Sequence, residues 1–388
     1  MPGAACGHHH FYSWLARGMT AAIGPTPDFV SILKQVWWRL DRAHTEETLR
    51  ATAEVAALET IRTGTTAVID HHASPNCIDG SLSILAEAFR ETGLRGILCY
   101  EATDRNGKAG LRAGVAENAR FAREVAQDTA GPDRLVEAAV GAHAPFTLEN
   151  DSLELLAETV CTTGKGLHIH VAEDRFDASH SRFAHGQELL RRLNRFKLLS
   201  PLAIIAHGIH LTAEDIDLLN EADLTLAHNC RSNMNNGVGY NPHLPQVNRV
   251  TLGTDGIGSD MWEELRFAFF KHHDAGGLLG PDTFVRFLNN TNHVLRRYFG
   301  RPFGCIEAGS TADLVITDYH APTPLDPANV PGHLLYGMSS RDVHTVIVNG
   351  RVVLRDREFT IDLDHERVYA RAREAAQKLW KRIDSIAP

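Results

Sequence analysis

The feature that most constrains this fold is a repeated alternation of short apolar runs with longer amphipathic stretches. Thr212 has the residue type of a helix N-cap, and helical spacing follows it, as it follows most of the apolar runs. The chain contains eight near-continuous apolar runs that alternate with helical stretches. This pattern predicts a parallel (β/α)8 barrel of the TIM type. The predicted strands lie within 3–10, 65–72, 94–102, 134–143, 166–173, 202–211, 224–229 and 250–256.

The character of the sequence changes after the last of these repeats. Residues 305–362 contain β-type runs joined by Asn349-Gly350, a dipeptide that strongly favours a hairpin turn. Residues 363–388 are charged and amphipathic, which is typical of a surface helix. We therefore expect a barrel at 1–304, a small β appendage at 305–362 and a C-terminal helix at 363–388.

Charge and cysteine usage exclude several classes of partner. The net charge is −9 and basic residues form no block, so neither nucleic acid nor a membrane surface is expected as a partner. Apolar runs stay well short of the ~18 residues that cross a bilayer. The six cysteines are dispersed without a CxxC pair, which indicates reduced thiols and a cytoplasmic protein.

Histidine is abundant, with 22 residues, and many of them fall where the predicted strands end. In a barrel of this type, the chemistry lies at the carboxyl ends of the strands. Polar side chains therefore recur at the carboxyl ends of the strands, and this pattern predicts an active site at the barrel mouth. The residues at these ends are His8, His9, His10, His143, His170, Glu173, His207, His228, Asn229 and Asp255.

Strand periodicity separates the three adjacent histidines of the first strand. Side chains alternate along a strand, so His8 and His10 point into the mouth while His9 points towards the helices. Together with His170 and Asp255 they predict a site for one divalent metal. Three imidazoles and a carboxylate suit Zn or Fe(II), whereas Mg and Ca prefer oxygen ligands. An isolated HxH pair binds nothing in most chains, and here the hypothesis depends on Asp255 completing the set.

Other histidines compete for these roles. His168 shares a face with His170 but lies deeper in its strand, so we assign His170 as the ligand and His168 to the layer beneath. His228 is an alternative ligand or a pocket residue, and His71 and His72 end the second strand and approach the mouth.

The segment 231–244 is rich in Gly and Asn and lies at the predicted active face. Irregular segments in this position often form walls of a binding site. Arg231 and Asn233 are therefore candidates for substrate contact, although turn chemistry alone would account for the same composition.

Several longer motifs resemble the amidohydrolase superfamily, and within it the cytosine, guanine and triazine aminohydrolase branch. They are HxH at 8–10, HAPFTL at 143–148, GLHIHVAED at 166–174, AHGIHL at 206–211, SNMNNGVGYNPHL at 232–244 and LGTDGIGSDMWEE at 252–264. The SsnA-like aminohydrolases are the group that these motifs resemble most. The resemblance covers nearly the whole chain.

The resemblance implies a role for each matching position. One divalent metal would be bound, and a metal lowers the pKa of its water towards ~7 and so supplies hydroxide at neutral pH. Glu173 would carry protons to the ring nitrogen and to the leaving amine, and His143 would hydrogen-bond the substrate. His207 would orient the water, and Asp255 would accept a proton from it. The implied metal ligands are His8, His10, His170 and Asp255.

The implied activity is hydrolytic deamination of an amino-substituted nitrogen heterocycle of the purine, pterin, pyrimidine or triazine type. The alternatives are a triazine-type chlorohydrolase or alkylaminohydrolase, another cyclic C–N hydrolase, and a metal-binding homologue without catalysis. A binuclear hydrolase would need a bridging Lys or carboxylate after the fourth strand, where this chain has His143. We expect a small heterocyclic amine as substrate and a homo-oligomeric assembly.

The resemblance also implies that the β appendage is part of a small sandwich, here incomplete. Related chains carry a segment before the first HxH that supplies strands to this sandwich, whereas only seven residues precede His8. We therefore expect unpaired strand edges in the appendage, which are a liability unless another chain covers them.

Overall fold

The structure is a computed structural model that describes the backbone of residues 1–388 and the side chains of all residues except Pro132. Parallel strands form a closed barrel, which confirms the predicted (β/α)8 architecture. The fourth barrel strand is interrupted at Ala139 and is therefore described as two segments, β4 and β5. The strands are β1 (Ala4–His9), β2 (Thr65–His72), β3 (Arg95–Tyr100), β4 (Val136–Ala138), β5 (Val140–Ala142), β6 (Leu167–Val171), β7 (Ile204–His207), β8 (Thr225–His228) and β9 (Val250–Leu252).

Two isolated parallel bridges close the ring of strands. β1 to β4 form one parallel sheet and β5 to β9 form another. Ala102 bridges to Ala142 on one side, and His9 bridges to Asp255 on the other. The second bridge brings the first strand beside the end of the last strand, at the barrel mouth.

Helices cover the outside of the barrel. Two of them begin with capping boxes, one at Thr45 and one at Thr212. The sequence predicted the N-cap at Thr212. The helices are α1 (Phe29–Ile32), α2 (Trp38–Ala43), α3 (Glu46–Arg62), α4 (Ser81–Thr92), α5 (Gly107–Ala126), α6 (Asn150–Thr163), α7 (Arg175–His185), α8 (Leu189–Arg195), α9 (Ala213–Glu221), α10 (Cys230–Asn235), α11 (Met261–Asp274), α12 (Pro281–Phe299), α13 (Val330–Gly332) and α14 (His365–Ser385). None of the helices described here combines the length and apolar character that crossing a bilayer requires.

The core lies between the strands and this helical layer. Leu82, Leu85 and Phe89 recur at helical spacing along α4 and are fully buried against the sheet. Burying a side chain of this size contributes about 1.5–3 kcal/mol. The packed layer makes the strand ends a rigid frame for the mouth.

The C-terminal segment forms a separate antiparallel sheet and then packs on the barrel. Its strands are β10 (Leu314–Thr317), β11 (Val343–Val348), β12 (Arg351–Arg355) and β13 (Glu358–Phe359). Asn349 and Gly350 both have positive φ, as the predicted Asn-Gly hairpin requires. α14 buries Val368, Leu379 and Ile383.

The expectation of a bare edge at β10 was wrong. Pro2 forms an antiparallel bridge with Leu314, and the amino group of Met1 donates to the carbonyl of Val315 at 3.0 Å. The backbone N–H of Gly3 donates to the carbonyl of Asp313 at 2.9 Å. The residues before β1 thus supply hydrogen bonds along this edge of the sheet.

A buried ion pair connects the barrel with the C-terminal sheet. The guanidinium of Arg95, at the start of β3, donates to both carboxylate oxygens of Asp313 at 2.7 and 3.1 Å. The backbone N–H of Asn349 donates to the same carboxylate at 2.7 Å. Arg95 is fully buried and lies over the rings of Phe299 and Phe303.

We expect Asp313→Asn to destabilise the fold strongly, because it leaves the buried charge of Arg95 without its counterion. Loss of one partner of a buried pair costs about 3–5 kcal/mol. Denaturant unfolding followed by circular dichroism measures the change. Asp318→Asn is the control, since Asp318 pairs with Arg357 at an exposed position and its loss should leave stability nearly unchanged. Equal effects of the two substitutions would contradict the structural role of the buried pair.

Candidate active site

The structure brings the predicted metal ligands together at the barrel mouth. The Nε2 atom of His10 lies 2.9 Å from Oδ1 of Asp255 and 3.1 Å from Nε2 of His170. The Nε2 atom of His8 lies 3.5 Å from the same carboxylate oxygen. His207 lies next to these four residues, with its Nε2 3.9 Å from Oδ2 of Asp255.

Backbone carbonyls determine which nitrogen of each ring carries the proton. The Nδ1 atom of His170 lies 2.8 Å from the carbonyl oxygen of His143, and Nδ1 of His10 contacts the carbonyl oxygen of His71. A carbonyl oxygen can only accept, so both Nδ1 atoms are donors. In the neutral rings, both Nε2 atoms therefore direct lone pairs at one another and at Asp255.

This arrangement of acceptors fits a divalent metal. Nε2 of His8 is buried without a hydrogen-bond partner, although it points at the carboxylate. Burial alone would lower the pKa of His10, but Asp255 outweighs it and raises that pKa to about 9. Asp255 thus stabilises a positive charge at this point, and imidazole and carboxylate ligands are those that Zn and Fe(II) accept.

Three residues of the site have left-handed backbone conformations. The φ angles are 53° for Ala172, 71° for His207 and 54° for Asp255. Such conformations cost non-glycine residues about 1–3 kcal/mol and persist where surrounding contacts over-determine them. Ala172 directly follows β6, His207 ends β7, and Asp255 lies three residues after β9, so all three lie where the chain leaves the barrel at the mouth.

Glu173 lies on the side of the site next to His207. Its Oε2 is 3.5 Å from Nε2 of His207, and its Oε1 accepts a hydrogen bond from Asn236 at 3.1 Å. Burial raises the pKa of Glu173 to about 7. A carboxyl group with this pKa can both carry and release a proton near neutrality.

The segment 231–244 contacts two of the predicted site residues, His207 and Asp255. Asn233 accepts a hydrogen bond from Nδ1 of His207 at 2.8 Å, and Ser232 donates to Oδ2 of Asp255. Asn233 is buried and therefore orients His207, which is a different role from the predicted substrate contact. Sequence reasoning missed Ser232 and Asn236, whose only signal was their place in this segment.

Arg231 lies outside the pocket in front of the metal ligands. Its guanidinium donates to Glu264 and Glu263, both at 2.7 Å, and to the carbonyl oxygen of Ile257 at 2.9 Å. Each of its three guanidinium nitrogens donates to one of these partners, so the substrate contact predicted for Arg231 finds no support in this geometry.

The remaining histidines have distinct positions. Nε2 of His168 lies 2.8 Å from Nδ1 of His8, so His168 supports a predicted ligand from below. His228 is buried, and neither of its ring nitrogens has a hydrogen-bond partner. His9 accepts a hydrogen bond from the indole of Trp14 at 3.3 Å and does not line the pocket.

Glu101 follows β3 and is a second buried carboxylate beside the site. Its oxygens lie 3.3 Å from Nδ1 of His71, 3.7 Å from Nε2 of His143 and 3.2 Å from Arg105. Burial opposes ionisation, but these partners hold the pKa of Glu101 well below its usual range. Sequence reasoning missed Glu101, although it ends a predicted strand as the other site residues do.

A pocket opens in front of these groups. Its aromatic walls come largely from the segment between β1 and α2 and from the regions after β5 and β6. His143 lines it, and the substrate hydrogen bond expected of this residue stays a prediction. Its acidic lining residues are Glu101, Glu173, Asp174, Asp177 and Asp255, and its aromatic ones are Tyr12, Phe29, Trp37, Trp38, Phe146 and Phe176.

The chain is similar to a known family of hydrolases over most of its length. The model of the amidohydrolase family matches residues 1–353. A 5-methylthioadenosine/S-adenosylhomocysteine deaminase from Pelotomaculum thermopropionicum is 30% identical, across 98% of this chain and 86% of the relative. A 5'-deoxyadenosine deaminase from Methanothermobacter thermautotrophicus is also 30% identical, across 98% of this chain and 87% of the relative.

Solved structures share the fold. An adenosine deaminase from Xanthomonas campestris with bound zinc has a TM-score of 0.84 and 24% identity, covering 98% of this chain and 86% of that one. An atrazine chlorohydrolase from Arthrobacter aurescens, complexed with zinc, has a TM-score of 0.79 and 21% identity, covering 97% and 88%. At these identities the likeness concerns the fold alone.

We expect His168→Gln to weaken metal binding without abolishing it, because His8 loses the ring that orients it. Loss of a partner that orients a ligand typically lowers metal affinity by about 10–100-fold. Competition with a chromophoric chelator measures this affinity. His228→Gln is the control, since His228 has no hydrogen bond to a ligand. Unchanged affinity in His168→Gln would show that His168 does not support His8.

Proposed function

Since the chain belongs to the amidohydrolase family, we propose that it deaminates the adenine ring of a nucleoside whose 5′ substituent carries no net negative charge. The deaminase reaction hydrolyses a C–N bond of a cyclic amidine: water adds to the ring carbon, ammonia leaves and a carbonyl group remains. The observation that carries the proposal is the convergence of Nε2 of His10 and Nε2 of His170 beside the carboxylate of Asp255, with the carboxyl group of Glu173 next to His207.

We propose His8, His10, His170 and Asp255 as the ligands of the divalent metal. A metal held by these residues would lower the pKa of a bound water towards ~7 and so supply hydroxide at neutral pH. Zinc is the ion that we propose, because three imidazoles with a carboxylate are a zinc ligand set, and Fe(II) is the alternative that this set also accepts. Elemental analysis of the purified protein distinguishes the two.

Glu173 is the proposed proton carrier. With a pKa of about 7, it can protonate the ring nitrogen as the nucleophile adds to the neighbouring carbon. It then takes a proton from the added water and delivers it to the departing amine. Asn236 holds one carboxyl oxygen, which leaves the other free to face the substrate.

His207 and Asp255 orient the attacking water. Asn233 holds the proton of His207 on Nδ1, so Nε2 is an acceptor; Asn229 approaches it at 3.4 Å, a long contact that the water would replace or share. The carboxylate of Asp255 is positioned by Ser232 and accepts the proton that the water loses. Both side chains lie within 4 Å of one another, so one small molecule can contact both.

The pocket lining supports an uncharged, flat substrate. Aromatic walls bury a planar heterocycle well, and Lys and Arg are absent from the described residues that line the pocket. Arg105 lies behind Trp38, where Asp41 and Glu101 pair with it. A phosphate group would thus meet carboxylates without a Lys or Arg side chain to neutralise it.

We also infer a reducing compartment such as the cytoplasm. The six cysteines are free thiols, and Cys6, Cys99 and Cys230 are buried among the core elements. The predicted homo-oligomeric assembly stays a proposal, which sedimentation of the purified protein would test.

We expect Glu173→Gln to retain the metal and to lose turnover by about 10²–10⁴-fold, the usual contribution of a positioned proton donor. The amide keeps the size of the side chain and its contact with Asn236 but cannot carry the proton. Steady-state ammonia release and elemental analysis measure the two effects. Loss of the metal together with activity would show that Glu173 is a ligand instead.

We expect ammonia release from 5′-deoxyadenosine and 5′-methylthioadenosine, and far slower release from adenosine 5′-monophosphate. The three share the reacting ring and differ at the 5′ position, where only the last is anionic. A coupled ammonia assay of kcat/KM compares them, with melamine as the triazine control, and chloride release from atrazine is measured separately. Preference for the monophosphate or for a triazine would overturn the proposed substrate class.

A further inference from the structure

One wall of the pocket comes from residues 29–43, which lie between β1 and α3. We call this segment the α1–α2 wall. Phe29, Trp37 and Trp38 line the pocket from it. The segment consists of α1, a π-helical turn at Leu33–Trp37 and α2, each of them too short to be stable alone. Contacts from elsewhere in the chain must therefore hold these rings in place.

Arg39 directly follows Trp38 and is buried, but it does not line the pocket. Its guanidinium donates to the carbonyl oxygen of Ile383 at 2.8 Å and to that of Ile386 at 2.9 Å. Ile383 lies in the last turn of α14, and Ile386 is the C-cap residue of that helix. The third guanidinium nitrogen donates to the carbonyl oxygen of Ala22 at 2.7 Å. Arg39 thus joins the end of α14 to the α1–α2 wall.

The chemistry of a guanidinium suits this position. The C-terminal end of a helix carries a partial negative charge, because its last carbonyl groups point beyond the helix. Arg39 brings a positive charge to these carbonyl groups. The planar guanidinium also presents its donors in fixed directions, which the single ammonium of a lysine does not. The contact between α14 and the wall therefore has a defined direction as well as a favourable charge.

Further contacts surround Arg39 in the same interface. The guanidinium of Arg382, on α14, donates to the carbonyl oxygen of Ala43 at 2.8 Å. Leu40 of the wall is fully buried in one apolar cluster with Leu379 and Ile383 of α14. The last turns of α14 thus hold the α1–α2 wall through polar and apolar groups that do not line the pocket.

We propose that Arg39 is a positioning residue for the substrate: by joining α14 to the α1–α2 wall, it holds Trp37 and Trp38 in place against the substrate ring. The inference rests on the proposed function, because it takes this aromatic pocket as the place of the heterocycle. Arg39 itself contacts neither the substrate nor the metal. The proposed metal ligands lie at the ends of barrel strands, so their arrangement does not depend on this contact.

The first test measures the wall without substrate. Arg39→Met keeps the apolar stem of the side chain and removes its donors, so the wall should open more often. We expect amide hydrogen exchange in residues 29–43 to become at least about tenfold faster, as the loss of hydrogen bonds to a charged group predicts. Mass spectrometry of peptides from the full-length, zinc-loaded protein measures this exchange. Elemental analysis should find the metal content of the wild type.

The second test measures turnover of 5′-deoxyadenosine. In Arg39→Met, kcat/KM should fall by about 10–100-fold, a range bounded by the ~10²-fold cost of a ~1 Å misplacement. Most of this fall should be a rise of KM, because the wall contacts the ring equally before and during the reaction. Arg39→Lys should recover part of it, since one ammonium replaces part of the guanidinium fork. A change that only destabilised the fold would lower the folded fraction and leave KM unchanged.

Arg266→Met is the matched control for losing an arginine that binds carbonyl groups. The guanidinium of Arg266 donates to the carbonyl oxygens of Leu335 at 3.0 Å and Met338 at 2.7 Å, and these three residues do not line the pocket. Its loss should leave both KM and the exchange of residues 29–43 as in the wild type. Thermal unfolding followed by circular dichroism confirms that each variant is folded.

Arg382→Met loosens the same interface from α14 and leaves the sequence of the wall intact. It should speed exchange and raise KM in the same direction, which decides the test if Arg39→Met does not fold.

Three results would overturn the inference: wild-type exchange of residues 29–43 in folded Arg39→Met, faster exchange with an unchanged KM, or an equal rise of KM in Arg266→Met. Each of them leaves the deaminase activity standing. Absence of ammonia release from every nucleoside in the wild type would instead remove the proposed function, and the substrate role of Arg39 with it.

Discussion

The contact between the first and last barrel strands is the constraint on which the site depends. The carbonyl of His8 accepts hydrogen bonds from Thr254 and Asp255, both at 3.0 Å, and His10 donates its backbone N–H back to Asp255 at 3.3 Å. These bonds place the carboxylate of Asp255 against two imidazoles from the other end of the barrel sequence. Barrel closure and site assembly are therefore the same event, and a fault in one would disturb the other.

Backbone groups also set the chemistry of the side chains in this frame. Carbonyl oxygens at the ends of neighbouring strands hold the protons of His10, His71 and His170, and so decide where their lone pairs point. The strand ends are rigid because helices pack against them. The left-handed conformations of His207 and Asp255 are tolerated for the same reason. The barrel backbone thus orients the imidazole rings, and the side chains provide the proposed metal ligands.

Residues whose roles follow from a local pattern could be predicted from the sequence, and residues whose roles follow from distant partners could not. Strand periodicity placed His8 and His10 on one face, and the position of Glu173 after its strand was sufficient to identify it beside the site. Arg231 was assigned to the pocket because its segment lies at the right face, but its carboxylate partners come from the next helix. Glu101 escaped notice because its significance depends on neighbours from other strands. Contacts between residues of different strands leave no local pattern in the sequence.

By itself, the sequence determined the order of strands and helices, the barrel they form and the polar residues at the strand ends, because periodicity and turn chemistry are local properties. The tertiary structure alone decided which of those residues meet, since contacts between distant strands depend on closure and register. It placed Asn233 behind His207 and Glu101 between His71 and His143. It also decided the tautomers, because each one follows from a carbonyl or hydroxyl that another part of the chain supplies.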